Sequence, residues 1–133
     1  MAALAQLLST LALVGHPATR FPAGVRTIEI RSPTRVVRVA DPAPVRRIER
    51  WFDAMRAARP GLYGCPMILA RTPRVRFAFS AANGTVLARA SMFEGISGPC
   101  NPVAFRVSGH RVKPLVGGRI LLRVRRLLGV RLG

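Results

Sequence analysis

The side chains able to do covalent or metal chemistry are few: Cys65, Cys100, His16 and His110. A Cys–His pair acts as nucleophile and base only where a free thiolate meets an imidazole. No catalytic signature surrounds either cysteine, and a disulfide between them would remove the nucleophile outright. Zinc ligands normally come in close pairs such as C-x2-C or H-x3-H, and these four residues stand isolated in the chain. The five carboxylates are Glu29, Asp41, Glu49, Asp53 and Glu94. Glu49 and Asp53 lie one helical turn apart, but among Arg46, Arg50 and Arg56 they read as surface ion pairs rather than as paired acids in a cleft. No G-x-G-x-x-G, Walker or G-x-S-x-G sequence occurs. The residues therefore assign no catalytic, metal or cofactor site, and the expectation is a protein that is not an enzyme.

What remains is charge. Against the 5 acidic residues stand 22 basic ones, a net charge of +17, and Lys113 is the only lysine. Such a domain is drawn to any polyanion: nucleic acid, an anionic membrane or an acidic wall polymer. An arginine bias this strong suits a GC-rich genome as well as selection for guanidinium chemistry. The basic residues fall into stripes, Arg35/Arg38, Arg74/Arg76/Arg89 and Arg119/Arg123/Arg126. A candidate anion-binding surface comprises Arg74, Arg76, Arg89, Arg111, Lys113, Arg119, Arg123 and Arg126. Val116-Gly117-Gly118-Arg119 opens a helical run whose free N–H groups would suit a phosphate, although a Gly-Gly hinge is the simpler reading. Phe77 and Phe79 alternate with Arg74 and Arg76, so in a strand they point to the opposite face, toward a core. That separates the charge from any stacking platform and weakens a nucleic-acid reading.

The elements that must carry these residues follow from hydrophobic period. Thr27–Arg31 and Arg35–Val39 flank Ser32-Pro33-Thr34 as a first hairpin. Asp41 followed by Pro42 reads as a helix start, and Val45, Ile48, Phe52 and Met55 form one apolar stripe until Arg59-Pro60-Gly61 stops it. A strand over 74–80 turns at Asn83-Gly84 into a return strand over 85–91, and a further strand covers 103–107. Ser108-Gly109-His110 turns again, with a brief return over 112–115. Ile120, Leu121, Val124, Leu127 and Leu128 share a face of a last helix ended by Gly129. The order β-β-α-β-β-β-α predicts an α+β fold: a small antiparallel β-meander packed against one long helix and a C-terminal amphipathic helix.

The chain fits a single domain. Residues 2–14 are apolar apart from Gln6, Ser9 and Thr10, the length of a signal-peptide core and too short to span a bilayer. No basic residue precedes them and no clean cleavage site follows, so an N-terminal helix packed on the core is the competing reading. The expected organisation is a signal-like segment over 1–20 and a disulfide-closed domain over 21–133. Cys65-Pro66 and Gly98-Pro99-Cys100-Asn101-Pro102 sit in turn chemistry at the mouths of strand-like segments. Their even count and the signal-like start favour a Cys65–Cys100 disulfide over two buried thiols.

From Asp41 onward the chain resembles a group of small, predicted exported proteins of actinobacteria whose function is not known. The resemblance is carried by Val45-Arg46-Arg47-Ile48-Glu49-Arg50-Trp51-Phe52-Asp53-Ala54-Met55, by Pro60-Gly61 with Cys65-Pro66, and by Gly84-Thr85-Val86-Leu87-Ala88-Arg89-Ala90. It continues through Gly98-Pro99-Cys100-Asn101-Pro102-Val103, Lys113-Pro114-Leu115-Val116-Gly117-Gly118 and Arg126-Leu127-Leu128-Gly129, about the last two thirds of the chain. It implies export and cysteine pairing; members begin with a signal sequence, and this start departs in lacking a basic region. It brings no catalytic residues. The expectation is an exported, non-enzymatic binding domain acting at an anionic cell envelope or on a protein partner; the alternative is a cytoplasmic nucleic-acid-binding module.

Overall fold

A computed structural model describes residues 20–59, 73–95, 100–116 and 119–132. Residues 1–19 of the signal-like segment, His16 among them, lie outside the described residues, as do Cys65 and the Gly117-Gly118 pair.

The elements run β1 (Val25–Arg31), β2 (Val36–Val39), α1 (Pro42–Asp53), β3 (Arg56–Ala57), β4 (Arg74–Ala81), β5 (Val86–Phe93), β6 (Ala104–Val107), β7 (His110–Arg111), β8 (Leu115–Val116) and α2 (Ile120–Leu128). Six strands form one antiparallel sheet in the order β2-β1-β4-β5-β6-β7, and β3 pairs with β8 in a separate ladder. The fold is α+β, with a six-stranded antiparallel sheet and two helices among the described residues.

Turn chemistry sets the hairpins. Gly84 holds φ +88 between β4 and β5, a left-handed conformation that a side chain would strain. Between β6 and β7, Ser108 at φ 49 and Gly109 at φ 78 are both left-handed, the backbone a two-residue hairpin needs to match strand twist. At the β1–β2 turn the buried Ser32 folds back, its backbone N–H donating to the Arg35 carbonyl at 2.9 Å.

One sheet face is apolar. Ile28, Ile30, Phe77, Phe79, Ala88, Ala90 and Phe105 are buried there, and Val45, Ile48 and Phe52 of α1 with Ile120 and Val124 of α2 join the same core. Phe52 is the hub. Its ring centroid lies 5.3 Å from those of Phe77 and Phe79, both near edge-to-face, and 6.1 Å from that of Phe21. Edge-to-face contacts of this kind add to the transfer energy of burial. Both helices pack on this face, and among the described residues no helix covers the opposite one, which is called the open face below.

The expected long helix is not observed. The apolar stripe is buried as expected, but α1 ends at Asp53 after 12 residues, well short of Pro60, and α2 has nine. The stop comes from long-range pairing. Arg56 and Ala57 pair with Val116 and Leu115, and the Ala58 N–H donates to the Pro114 carbonyl at 2.8 Å. The backbone N–H of Arg20 also donates to Asp53 Oδ1 at 2.8 Å, and its guanidinium donates to the Met55 carbonyl. Asp41 stands at the N-cap with Pro42 next, yet its side chain makes no capping hydrogen bond. The return strand expected over 112–115 is split, His110–Arg111 going to β6 and Leu115–Val116 to β3. At the other end of the chain, Gly129 closes α2 at φ +65, its N–H donating to the Arg125 carbonyl at 2.8 Å.

Candidate anion-binding face

Strand alternation places Arg31, Arg38, Arg74, Arg76, Arg89 and Arg106 on the open face, beside apolar residues that turn to the core. Register then decides which become neighbours. Arg38 pairs with Glu29, Glu29 with Ala78, Ala78 with Arg89, Arg89 with Arg106 and Arg106 with Arg111. One row thus crosses all six strands and carries four arginines. The adjacent row runs Val36, Arg31, Arg76, Ser91, Ala104. Arg31, Arg38, Arg76, Arg89, Arg106 and Arg111 are all exposed.

Between the arginines the positions are small. Ala78, Ser91 and Ala104 make low ground flanked by long side chains, and the result is a hollow of about 490 Å³ lined also by Glu29, Arg31, Arg76, Arg89 and Arg106. Within these two rows Glu29 is the only carboxylate, and it accepts from Arg31 Nη2 at 2.9 Å. Other acids are engaged away from the open face: Glu94 with Arg125 at 3.3 Å, Asp53 with the Arg20 backbone, and Glu49 at 3.9 Å from Arg46. Partial burial holds the Glu49 carboxyl above its ordinary pKa, against the lowering pull of Arg46 and with Asp53 adding to the rise.

Arg74 is anchored rather than free-swinging. Its guanidinium lies 4.1 Å from the centre of the Phe93 ring and donates to Ser91 Oγ at 3.0 Å. Phe93 is itself fixed by Asn101, whose side-chain oxygen accepts from the Phe93 N–H at 2.9 Å while its amide donates to the Phe93 carbonyl at 2.6 Å. The Asn101 amide does the work of a strand partner and carries the edge of β5 past the start of β6.

The eight residues of the expected surface do not share one face. Arg74, Arg76, Arg89 and Arg111 lie on the open sheet. Lys113 is exposed in the coil after β7, and Arg119 is at the N-cap of α2 with φ 47. Arg123 and Arg126 are exposed on α2, whose apolar side packs into the core beneath the sheet, and Arg123 lies 5.9 Å from the Trp51 ring. Conversely, Arg31, Arg38 and Arg106 belong to the sheet cluster and are not in the expected set. Their signal was available: each occupies a polar position in an alternating strand. Phe77 and Phe79 are buried on the core side, while Phe93 is an aromatic on the arginine face.

His110 is exposed at the sheet edge, opposite Val107. Cys100 is not a free thiol. Among the described residues, no group of three His, Cys, Asp or Glu side chains is placed to hold a metal ion, and no helix is long and apolar enough to cross a membrane. No protein-family model matches the chain, and neither a curated protein nor a solved structure matches it. The geometry of the open face therefore carries the functional argument.

Proposed function

We propose that this chain is an exported, non-enzymatic binding domain that holds an anionic component of the cell envelope against its open sheet face. One observation carries the reading: arginines from all six strands of the sheet converge on two adjacent rows that contain a single carboxylate. Guanidinium groups keep their charge across the accessible pH range and present several fixed donors, which suits holding an anion rather than moving a proton. Export is supported by the apolar stretch over 2–14 and by the resemblance to exported proteins. On this reading Cys100 pairs with Cys65, the other cysteine of the chain, and the disulfide belongs to an oxidising compartment.

Two variants of equal charge test the face. Arg76→Gln/Arg89→Gln/Arg106→Gln removes three charges from the sheet, and Arg47→Gln/Arg50→Gln/Arg56→Gln removes three from the helix side. Binding to anionic vesicles and to an acidic polymer is expected to fall much further in the first. Equal losses would reduce the protein to a nonspecific ion exchanger.

A second reading, a cytoplasmic nucleic-acid-binding module, is favoured by Phe93, an aromatic on the arginine face. Retention of a sequence or structure preference at high salt would support it.

A further inference from the structure

Resting on that reading, we propose that the ligand is a linear phosphodiester polymer without bases, a polyol phosphate chain, laid diagonally across the sheet from Arg31 to Arg111. The strand register draws the path. Arg31 stands directly opposite Arg76, and Arg89, Arg106 and Arg111 follow one another across β5, β6 and β7. The two groups join on the diagonal, because Arg76 faces Ser91 while Arg89 faces Ala78. Diagonal neighbours of this kind lie roughly 7–8 Å apart, still within the reach of two arginine side chains. Four strand steps make the path about 20 Å long. Five guanidinium groups thus form a continuous track rather than a cluster around one point.

A track selects a ligand whose charge is spread along a line. A single carboxylate or phosphate would satisfy one or two of the five groups and leave the others facing one another. Guanidinium also matches the geometry of phosphate oxygens in a paired, two-bond contact, which an ammonium cannot reproduce. The floor of the track argues for a chain without bases. Its low ground is Ala78, Ser91 and Ala104, which offer no ring for stacking. The aromatic that the described residues place on this face, Phe93, lies to one side, and the guanidinium of Arg74 already covers one side of its ring at 4.1 Å. Glu29 marks the β1 end, where its carboxylate occupies Arg31 at 2.9 Å and must be displaced for the last phosphate to seat.

The experiment measures binding of purified poly(glycerol phosphate) by calorimetry between 50 and 200 mM salt, beside poly(dT) and poly-glutamate of matched charge number. With five contacts the slope of log K against log salt is expected near −3.5, about a 100-fold loss across that range. Arg89→Gln and Arg106→Gln should each make the slope shallower by about 0.7. Arg89→Lys/Arg106→Lys should keep the slope but lose affinity, because charge is retained and the paired contact is not. Glu29→Gln should tighten binding, while Glu49→Gln, which adds the same charge elsewhere, should not. Circular dichroism spectra of each variant establish that it is folded.

Poly-glutamate bound as tightly as the phosphate polymer would overturn the proposal and leave the binding face intact. Tighter binding of poly(dT) would overturn it in favour of nucleic acid. Failure of all three polymers to bind better to the native protein than to the variant lacking Arg76, Arg89 and Arg106 would overturn both this proposal and the binding face beneath it. Equal effects of Glu29→Gln and Glu49→Gln would remove the track while keeping a general attraction.

Discussion

If the arginine row exists to receive an anion, the unliganded protein must carry its repulsion, and removing one member should stabilise the fold. Arg106 is the member to remove, because it stands directly between Arg89 and Arg111. With guanidinium groups about 6 Å apart in water, each like-charge pair costs about 0.7 kcal/mol before screening. Two neighbours, with some relief from splayed side chains, give about 1 kcal/mol at 20 mM salt. Screening at 0.5 M should cut this to a few tenths, since the Debye length falls below the separation of the charges. Threonine suits an exposed strand position, so Arg106→Thr adds little intrinsic penalty. The expected result is a Tm about 3–5 °C above that of the native protein at low salt, with most of the gain gone at 0.5 M. Circular dichroism melts at the two salt concentrations measure it. Arg26→Thr is the control, because Arg26 falls in the irregularity between the Val25 and Thr27 pairings and has no arginine in register. A variant that melts below the native protein at 20 mM, or whose gain is the same in both salts, would refute the reasoning: the row would then be held together by packing of arginine stems.

Three further outcomes test the frame behind the face. Phe52→Ala should cost about 3–5 kcal/mol in urea unfolding, because the ring is fully buried among Phe21, Phe77, Phe79 and Phe105; a loss under 1 kcal/mol would show that α1 does not anchor the sheet. The folded pKa of Glu49 is raised, so folded protein holds that proton more tightly than unfolded chain, and its contribution is full below about pH 4.3 and lost as pH rises through the folded value. Glu49→Gln should therefore gain stability relative to the native protein as pH rises from 4 to 7, and a difference in Tm that stays flat over that range would sink the assignment. Protein made in an oxidising compartment should show a mass two daltons below the reduced chain and lose about 4 kcal/mol on reduction, given the loop between Cys65 and Cys100; two titratable thiols in folded protein would undo the pairing and weaken export with it.

Local signals carried the fold a long way. Alternation marks β1, β4 and β6, β-branched residues mark β2, the Asn83-Gly84 turn marks β5 as a return strand, and the stripe Val45, Ile48, Phe52 marks the buried side of α1. Asn83-Gly84 and Ser108-Gly109 marked hairpins because their backbone demands are local. The errors fell where a distant partner decides. Nothing near Met55 breaks a helix, yet the chain leaves helical geometry there to pair Arg56 and Ala57 with residues some sixty positions on. A two-residue strand such as β3 or β8 has too few residues to show a period, so only its partner reveals it.

The same limit explains the site. That Arg76, Arg89 and Arg106 face solvent follows from period-two patterning, but that Arg89 meets Arg106 while Arg76 meets Ser91 is a matter of register, and a slip of one residue would exchange the faces. The apolar partners prevent that slip: Phe77 pairs with Ala90 and Ala90 with Phe105, bulky against small against bulky, beneath Phe52. The core therefore fixes the anion face from below. A residue change that shifts the Phe77–Ala90–Phe105 packing would disturb the arginine track without touching an arginine. The charge composition announces that the protein attracts anions, but the register of three apolar residues determines where the charges line up.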